Sequence, residues 1–482
     1  MGSLKIDVTN FMKRGYAMKQ IVNPYLPLNE YIPDGEPHVF GNRVYVFGSH
    51  DKENGEAFCL LDYVAYSAPV DDLTQWTYEG VIYKKEQDPA NVEGKMMLYA
   101  PDVCQGPDGR FYLYYCLNGL SKISVAVSDR PSGTYEFLGY VAYPSGQFLE
   151  ENFPFDPAVL HDDGKVYVYY GFSPTNINVP GFPSRDKILG CSFIELEQDM
   201  LTVKQGPKIV LPSEAYSQGT GFEGHEYFEA PSIRKIDSMF YLIYSSVLSH
   251  ELCYAISAYP DKGFVYQGTI VSNGDIGYKG RMEEDKVAIV GNNHGGIECI
   301  NNQWYVFYHR HTHGHQFSRQ GCAEPIVIDE EGKIEQVEIT SCGLNGKPLN
   351  PKGRYSAAIC STLSHGKMPN LLRQRPTWDY PYITHEDERH YITNITKDTT
   401  VGFKYFDFSG KTRCSVSYRG TGEGRIQLFS DAFIPIQAKD EWTVSLSVEF
   451  VLHGEHPLYL RYEGSGSIEI EAILFDDISS AF

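Results

Sequence analysis

The stretch FDPAVLHDDGKVYVYYG (155–171) sets an acid and a proline, Asp156-Pro157, ahead of a turn signal, Asp162-Asp163-Gly164, and an aromatic run. Asp and Gly at such a point mark a tight turn, and the Val- and Tyr-rich run after it reads as a β-strand. The pattern returns in GNRVYVFGS (41–49), DGRFYLYYC (108–116), DSMFYLIYS (237–245) and NNQWYVFYH (301–309). The key tyrosines are Tyr45, Tyr112, Tyr167, Tyr241 and Tyr305, spaced by 67, 55, 74 and 64 residues. Each interval holds about four strands of ordinary length plus loops. Four-stranded units repeated radially make a β-propeller, so the expected fold is all-β and begins with a five-bladed propeller. For repeats this divergent, a large β-sandwich is the alternative.

Ahead of each tyrosine stands an acidic or polar residue, often beside proline. Asp34 is 11 residues before Tyr45, Asp102 is 10 before Tyr112, and Asp156 is 11 before Tyr167. Glu229 is 12 before Tyr241, and His294 is 11 before Tyr305. The first strand of a propeller blade lines the axis, so residues opening those strands are expected to meet at one mouth. Proline is tolerated at a strand's first residue. Taken singly, each acid reads more readily as a turn or cap residue. As a set they repel one another, at least one should have a raised pKa, and such clusters are candidates for catalysis.

Carboxylates facing across a cleft suit cleavage of a glycosidic bond. One protonates the leaving oxygen and the other activates water on the opposite face. A gap of about 6.5–9.5 Å leaves room for that water and gives inversion, and about 5–5.5 Å gives retention. A third acid can keep the proton donor charged with its proton. No metal or organic cofactor need carry this chemistry. There is no G-x-S-x-G elbow, Walker loop, H-E-x-x-H or EF-hand signature. The histidines of YHRHTHGHQ (308–316) alternate, but the glycine among them and the lack of a neighbouring Cys or acid favour a polar loop lining the cleft over a metal site.

The 482 residues suggest two or three domains. The net charge of −21 argues against nucleic-acid and anionic-membrane partners and fits a neutral ligand. The 10 cysteines form no CxxC pair, and several sit in apolar strands, which reads as small buried hydrophobes. No apolar run is long enough to span a bilayer. The N-terminus, MGSLKIDVTNFMKRGYAMKQ, lacks the apolar core of a signal peptide. The sequence as it stands is therefore expected to be cytoplasmic, or secreted or periplasmic if a leader was removed. Oligomeric state is not legible.

Taken together, YIPDGEPHVFGNRVYVFGSHD (31–51), YAPDV (99–103), FDPAVLHDDGKVYVYYG (155–171), FEAPSIRKIDSMFYLIYS (228–245) and NNHGGIECINNQWYVFYH (292–309) resemble glycoside hydrolase family 43. Its members are five-bladed propellers acting largely on arabinose- and xylose-containing plant polysaccharides. The resemblance covers about 20–330. It implies an inverting enzyme with Asp34 as general base, Asp156 as pKa modulator and Glu229 as general acid. The base motif departs from the family's usual Asp-Pro, reading Asp34-Gly35-Glu36-Pro37, so Glu36 stands as the alternative base. Glu226 is a lesser rival for the acid. His294 matches a histidine near the axis, often beside a structural calcium or water cluster, and so could touch a metal through water. Arg319 matches the arginine of the sugar subsite. Asp102 joins the substrate-binding set. Phe228 and Trp304 are candidates to pack a sugar face, although such aromatics also serve cores. The implied activity is that of an α-L-arabinofuranosidase or β-xylosidase on substrates such as arabinoxylan. The alternative is a non-catalytic carbohydrate-binding propeller.

The expected organisation is a propeller over 1–330, a Pro-, Gly- and Lys-rich connector over 331–380 packed on it, and an antiparallel, jelly-roll-like β-sandwich over 381–482. In WTVSLSVEF, Val444, Leu446, Val448 and Phe450 alternate with polar residues, as a half-buried strand does. ITNITKDTTVGFKYFDFSG (392–410) resembles family 6 carbohydrate-binding modules more loosely, and a purely structural sandwich is equally compatible.

Overall fold

A computed structural model describes residues 20–174, 187–373 and 377–476. Residues 1–19, read above for a leader, and most of the loop 173–187 lie outside the described residues. Regular structure in the described part is β-strand with short 3₁₀ turns, and no helix is long and apolar enough to cross a membrane.

Five small antiparallel sheets follow one another in sequence. The first holds β1 (Glu36–Phe40), β2 (Arg43–Phe47), β3 (Tyr63–Pro69) and β4 (Thr77–Tyr83). The second holds β5 (Leu98–Gln105), β6 (Phe111–Leu117), β7 (Ser124–Ser128) and β8 (Glu136–Tyr140). The third holds β9 (Ala158–Asp162), β10 (Lys165–Tyr170), β11 (Gly190–Leu196) and β12 (Val203–Pro212). The fourth holds β13 (Tyr227–Ile236), β14 (Met239–Ser246), β15 (Glu251–Ser257) and β16 (Val265–Ser272). The fifth holds β17 (Ile297–Ile300), β18 (Gln303–Arg310) and β19 (Gln320–Ile326). Within each sheet the strands pair in chain order. Strand β17 touches β1, β1 touches β5, β5 touches β9, and β9 touches β13. This is the five-bladed propeller anticipated from the repeats.

The repeated hairpin is apolar without a polar face because its second strand is buried on both sides. Side chains alternate across a strand, and here each side faces a different blade. Tyr45 and Phe47 pack with Leu113 of the second blade, whereas Val44 and Val46 pack with Phe307 of the fifth. Tyr112 faces the third blade, Tyr167 the fourth, Tyr241 the fifth and Tyr305 the first. One motif therefore supplies both halves of every inter-blade core.

The fifth blade has three strands, and the N-terminal segment stands in for a fourth. Tyr25 N donates to Gly321 O (3.3 Å). The fully buried Asn23 imitates a paired strand residue: its Nδ2 donates to Ala323 O (2.9 Å) and its Oδ1 accepts from Ala323 N (3.0 Å). Ile21, Tyr25 and Leu26 join the core between the fifth and first blades, so chain start and propeller end close the ring.

The C-terminal part is an antiparallel β-sandwich around one core that includes Phe403, Phe406, Val416, Leu458 and Ile470. Its shorter strands include β22 (Tyr382–Glu386), β23 (Arg389–Ile395), β25 (Glu423–Phe429) and β26 (Ala432–Gln437), and its long strands are β24 (Thr400–Gly420), β28 (Val448–Ser465) and β29 (Ile468–Asp476). Strand β24 pairs with β28 over its first part and with β29 over its last. Two pieces of the expected connector are strands of this sheet: β20 (Gly353–Ser356) pairs with β29, and β21 (Thr362–Ser364) pairs with β24. The alternation around Val444 differs from expectation. Only Thr443–Val444 pairs there, as β27, at the far end of β24, and Val444 and Leu446 face solvent. Lys404, on β24, reaches the propeller side, where its Nζ meets Asp275 Oδ2 (2.7 Å) and Glu338 Oε1 (3.0 Å).

Candidate active site

A cavity of about 610 Å³ opens at one end of the propeller axis. Asp34, Asp156, Glu229, His294, Arg319 and Phe228 all line it. Backbone conformation aims the acids. Asp34 and Asp156, each just before its inner strand, have φ of 57° and 45°, and Ala230 beside Glu229 has 64°. Left-handed backbone is uncommon for non-glycine residues, Asp being among the more tolerant. Here it turns the entering chain so that its carboxylate faces the mouth.

Asp102 does not share that level, which corrects the equal-offset reading. Tyr45, Tyr167, Tyr241 and Tyr305 lie opposite His38, Leu160, Arg234 and Glu298, each seven residues back. Tyr112 lies opposite Cys104, eight back. Tight two-residue turns join the inner hairpin elsewhere, but in the second blade the connection runs over 106–110. Asp102 therefore sits level with Glu36, deeper along the axis, where it accepts from Val103 N and Val159 N (both 2.7 Å) and pairs with His38 Nε2 (2.6 Å). The residue level with Glu229 in that blade is Tyr99. Both precede Ala-Pro and a bulge, and both line the cavity.

Three further expectations resolve by burial. Glu36 is buried below the cavity with Arg234 Nη1 at 2.9 Å and Ser232 Oγ at 2.6 Å. Glu226 accepts from Ser217 Oγ (2.9 Å) and does not line the cavity. Trp304 packs on the core between the fourth and fifth blades, so it is not a wall of the cavity. Within the histidine-rich segment, His309, His311 and His313 are buried and do not line the cavity, whereas His315 is partly exposed. His309 Nδ1 accepts from Asp34 N (3.2 Å), and its Nε2 faces Asn292 O (3.0 Å).

The site's electrostatics separate two acids. Burial alone would push Asp34 up. Arg319 Nη1 at 2.9 Å from Asp34 Oδ1, together with His309, outweighs burial and holds the carboxyl far below the usual range. Glu229 makes no ion pair among the described residues. Burial and the charge of Asp34 push its pKa up to about 8. Asp156 is also driven well up, by burial and then by the charges of Glu229 and Asp34. Glu229 and Asp156 therefore titrate as a pair rather than singly. His294 Nδ1 lies 3.9 Å from Asp34 Oδ1 and 3.8 Å from Asp156 Oδ2, and burial holds it neutral, with a pKa near 4.

Sequence reasoning missed Asp51, which grips Arg319 at two points, Nε to Oδ2 (2.8 Å) and Nη2 to Oδ1 (2.9 Å). It also missed the aromatic wall of Phe153, Phe155 and Phe172 beside Phe228. The Phe run in NFPFDP (152–157) was the available signal.

Two described groups bring three ligand-type atoms within 4.8 Å: Glu36–His38–Asp102 and His225–Glu251–Cys253. In the first, His38 already bonds Asp102 and the Arg234 guanidinium stands at Glu36. In the second, Glu251 already accepts from His225, Ser246 and Thr269. Calcium takes about 6–8 oxygen ligands. Within 4 Å of His294 the described carboxylates are Asp34, ion-paired with Arg319, and Asp156. That set fits a calcium poorly.

Comparison with known proteins identifies the family. The family model for glycosyl hydrolases family 43 matches residues 66–334. A xylosidase/arabinosidase of Thermoclostridium stercorarium is 49% identical over 473 residues, covering 94% of this chain and 98% of the relative. A family 43 enzyme from Xanthomonas citri, solved with xylose, superposes with a TM-score of 0.52 at 25% identity, covering 66% of this chain and 93% of that one. An arabinoxylan arabinofuranohydrolase from Bacillus subtilis, solved with cellotetraose, shares the fold over 94% of this chain and 97% of its own, with a TM-score of 0.50 at 20% identity. Over its propeller and its site, the chain belongs to glycosyl hydrolase family 43.

Proposed function

We propose that the protein is an inverting glycosidase that removes arabinofuranosyl or xylosyl units from plant-derived oligo- and polysaccharides such as arabinoxylan. The observation that carries this is the division of charge in one cavity: Asp34 is ion-paired with Arg319, and Glu229 has no such partner. Two acids whose surroundings push their proton affinities apart are the signature of a base and an acid. Asp34, ionised, takes the proton of an attacking water. Glu229, protonated near neutrality, gives its proton to the leaving oxygen. Asp156, buried in the same cavity and coupled to Glu229 by charge, tunes and orients it. His294 and Arg319 fix Asp34 and face the sugar, and Phe228 with its neighbours offers the ring an apolar wall.

The test has two readings. Proton magnetic resonance of the first product from an aryl xyloside or arabinofuranoside should show the inverted anomer, and a retained anomer overturns the mechanism. Glu229→Ala should lose most activity on natural oligosaccharides and far less on substrates with a good leaving group, which need little protonation. Equal loss on both removes Glu229 as the acid.

The likeness of 392–410 to family 6 modules supports a carbohydrate-binding role for the C-terminal sandwich, with 331–380 as its link to the propeller. Calorimetry of the full chain carrying Glu229→Gln, titrated with xylan fragments, should then show a second binding event outside the cavity.

A further inference from the structure

One wall of the cavity comes from beyond the propeller. Leu372, in the segment leading to the sandwich, lines it and is 37% exposed. On the same side a row of rings leads outward. Phe58, at the cavity, meets Phe317 edge-on with 4.6 Å between ring centres. Phe317 meets His315 at 5.3 Å, and His315 lies nearly parallel to Trp378, 6.1 Å away and 20° apart. A row of core rings would be covered. Here Phe58, Phe317 and His315 are each partly exposed, and Trp378 is 41% exposed.

The outer end of the row is held in place. Trp378 has φ 62°, a left-handed backbone that bulky residues seldom adopt. Asn394 Nδ2 donates to its carbonyl (2.7 Å), and Tyr382 packs edge-on against the indole at 5.3 Å. Strained backbone kept under an exposed aromatic, and fastened from a neighbouring strand, points to a ring whose position matters. An exposed apolar strip continuous with a ligand cavity extends that cavity's binding surface. Burial lowers the pKa of His315, so this ring is uncharged near neutrality, which suits a neutral sugar chain.

We propose that Phe58, Phe317, His315 and Trp378 form a ledge that binds the polysaccharide backbone on the leaving-group side of the scissile bond. The occupant is a chain of neutral pyranoses lying along the rings, with the sugar to be released in the cavity. The proposal rests on the glycosidase reading above and adds the length of substrate it recognises.

The experiment compares Trp378→Ala, Trp378→Phe and the unaltered protein on an aryl pentoside, too short to reach Trp378, and on xylo-oligosaccharides of increasing length. The expected result is a loss of roughly threefold to tenfold in kcat/KM on the longer chains, mostly in KM, with little change on the aryl pentoside and partial recovery in Trp378→Phe. An equal loss on both substrate classes would mark Trp378 as structural, and no loss on any chain length would remove the ledge. If the unaltered protein cleaves none of these sugars, the glycosidase reading fails by itself. Calorimetry of Glu229→Gln with and without Trp378→Ala still decides the ledge: weaker binding of xylohexaose, with xylose binding unchanged, supports it, and equal binding of both overturns it.

Discussion

Arg319 and Asp51 are locked in a two-point ion pair, 2.8 and 2.9 Å, with both side chains buried, and the guanidinium's remaining arm reaches Asp34 at 2.9 Å. Asp51 thereby orients the cation that keeps Asp34 ionised. A planar fork suits this geometry and a lysine does not. Arg319→Met should cost about 3–5 kcal/mol, the usual result of leaving a buried charge unpaired, as measured by urea unfolding. In Arg319→Lys, Asp34 loses part of its stabilisation as an anion. Its pKa should rise, and the acid limb of the kcat/KM profile should move to higher pH.

Glu229 gives a pH dependence of opposite sign. Its pKa is raised from 4.5 to about 8 in the fold. Between those values the native state binds more protons than the unfolded chain, so stability falls as pH rises. Glu229→Gln removes that liability. Because the side chain is only partly buried, the gain above pH 8 should be about 1–2 kcal/mol after allowance for solvent, and it should vanish below pH 4. Thermal unfolding at the two extremes checks this. Activity of the unaltered protein should decline along an alkaline limb centred near 8 as the proton donor is lost.

Ring closure depends on one amide. Asn23→Ala leaves the backbone N–H and carbonyl of Ala323 without partners. Each buried group so orphaned costs about 1–3 kcal/mol, so a loss of about 2–6 kcal/mol is expected. Hydrogen exchange should show the early opening confined to β19 and the N-terminal segment. Uniform loosening of all blades would contradict the closure role.

Lys404 fastens the sandwich to the propeller. It and Asp275 are both buried. Lys404→Met should therefore destabilise by about 3–5 kcal/mol, with proteolysis appearing first between the two parts. The double change Lys404→Met with Asp275→Leu should recover part of the loss, since it removes the buried carboxylate left without a cation, while Glu338 loses Lys404 but keeps its bond from Tyr405.

The repeats were legible because each blade needs the same hairpin, and a strand buried on both faces admits little but Val, Leu, Ile and aromatics. Asp34, Asp156 and His294 were legible for the same reason, since equal hairpins put equal offsets at one level, and Glu229, one residue further back, is brought level by the bulge before Ser232. Asp102 broke the rule because the longer connection over 106–110 shifted the register against Tyr112, which no count along the chain could reveal. Glu36 looked as eligible as Asp34 in one dimension, and only the depth of the axis and the arm of Arg234 removed it.

The sequence alone determined the all-β class, the number of blades and the acids that open the inner strands, since these follow from local periodicity. The tertiary structure decided which acid is held ionised and which keeps its proton, because that depends on Arg319, Asp51 and His309 arriving from distant parts of the chain. It also decided that Leu372, from beyond the propeller, lines its cavity and that Trp378 ends the row of rings leading out from it. Contacts of that kind are set by how packed bodies meet, and a one-dimensional pattern does not encode them residue by residue.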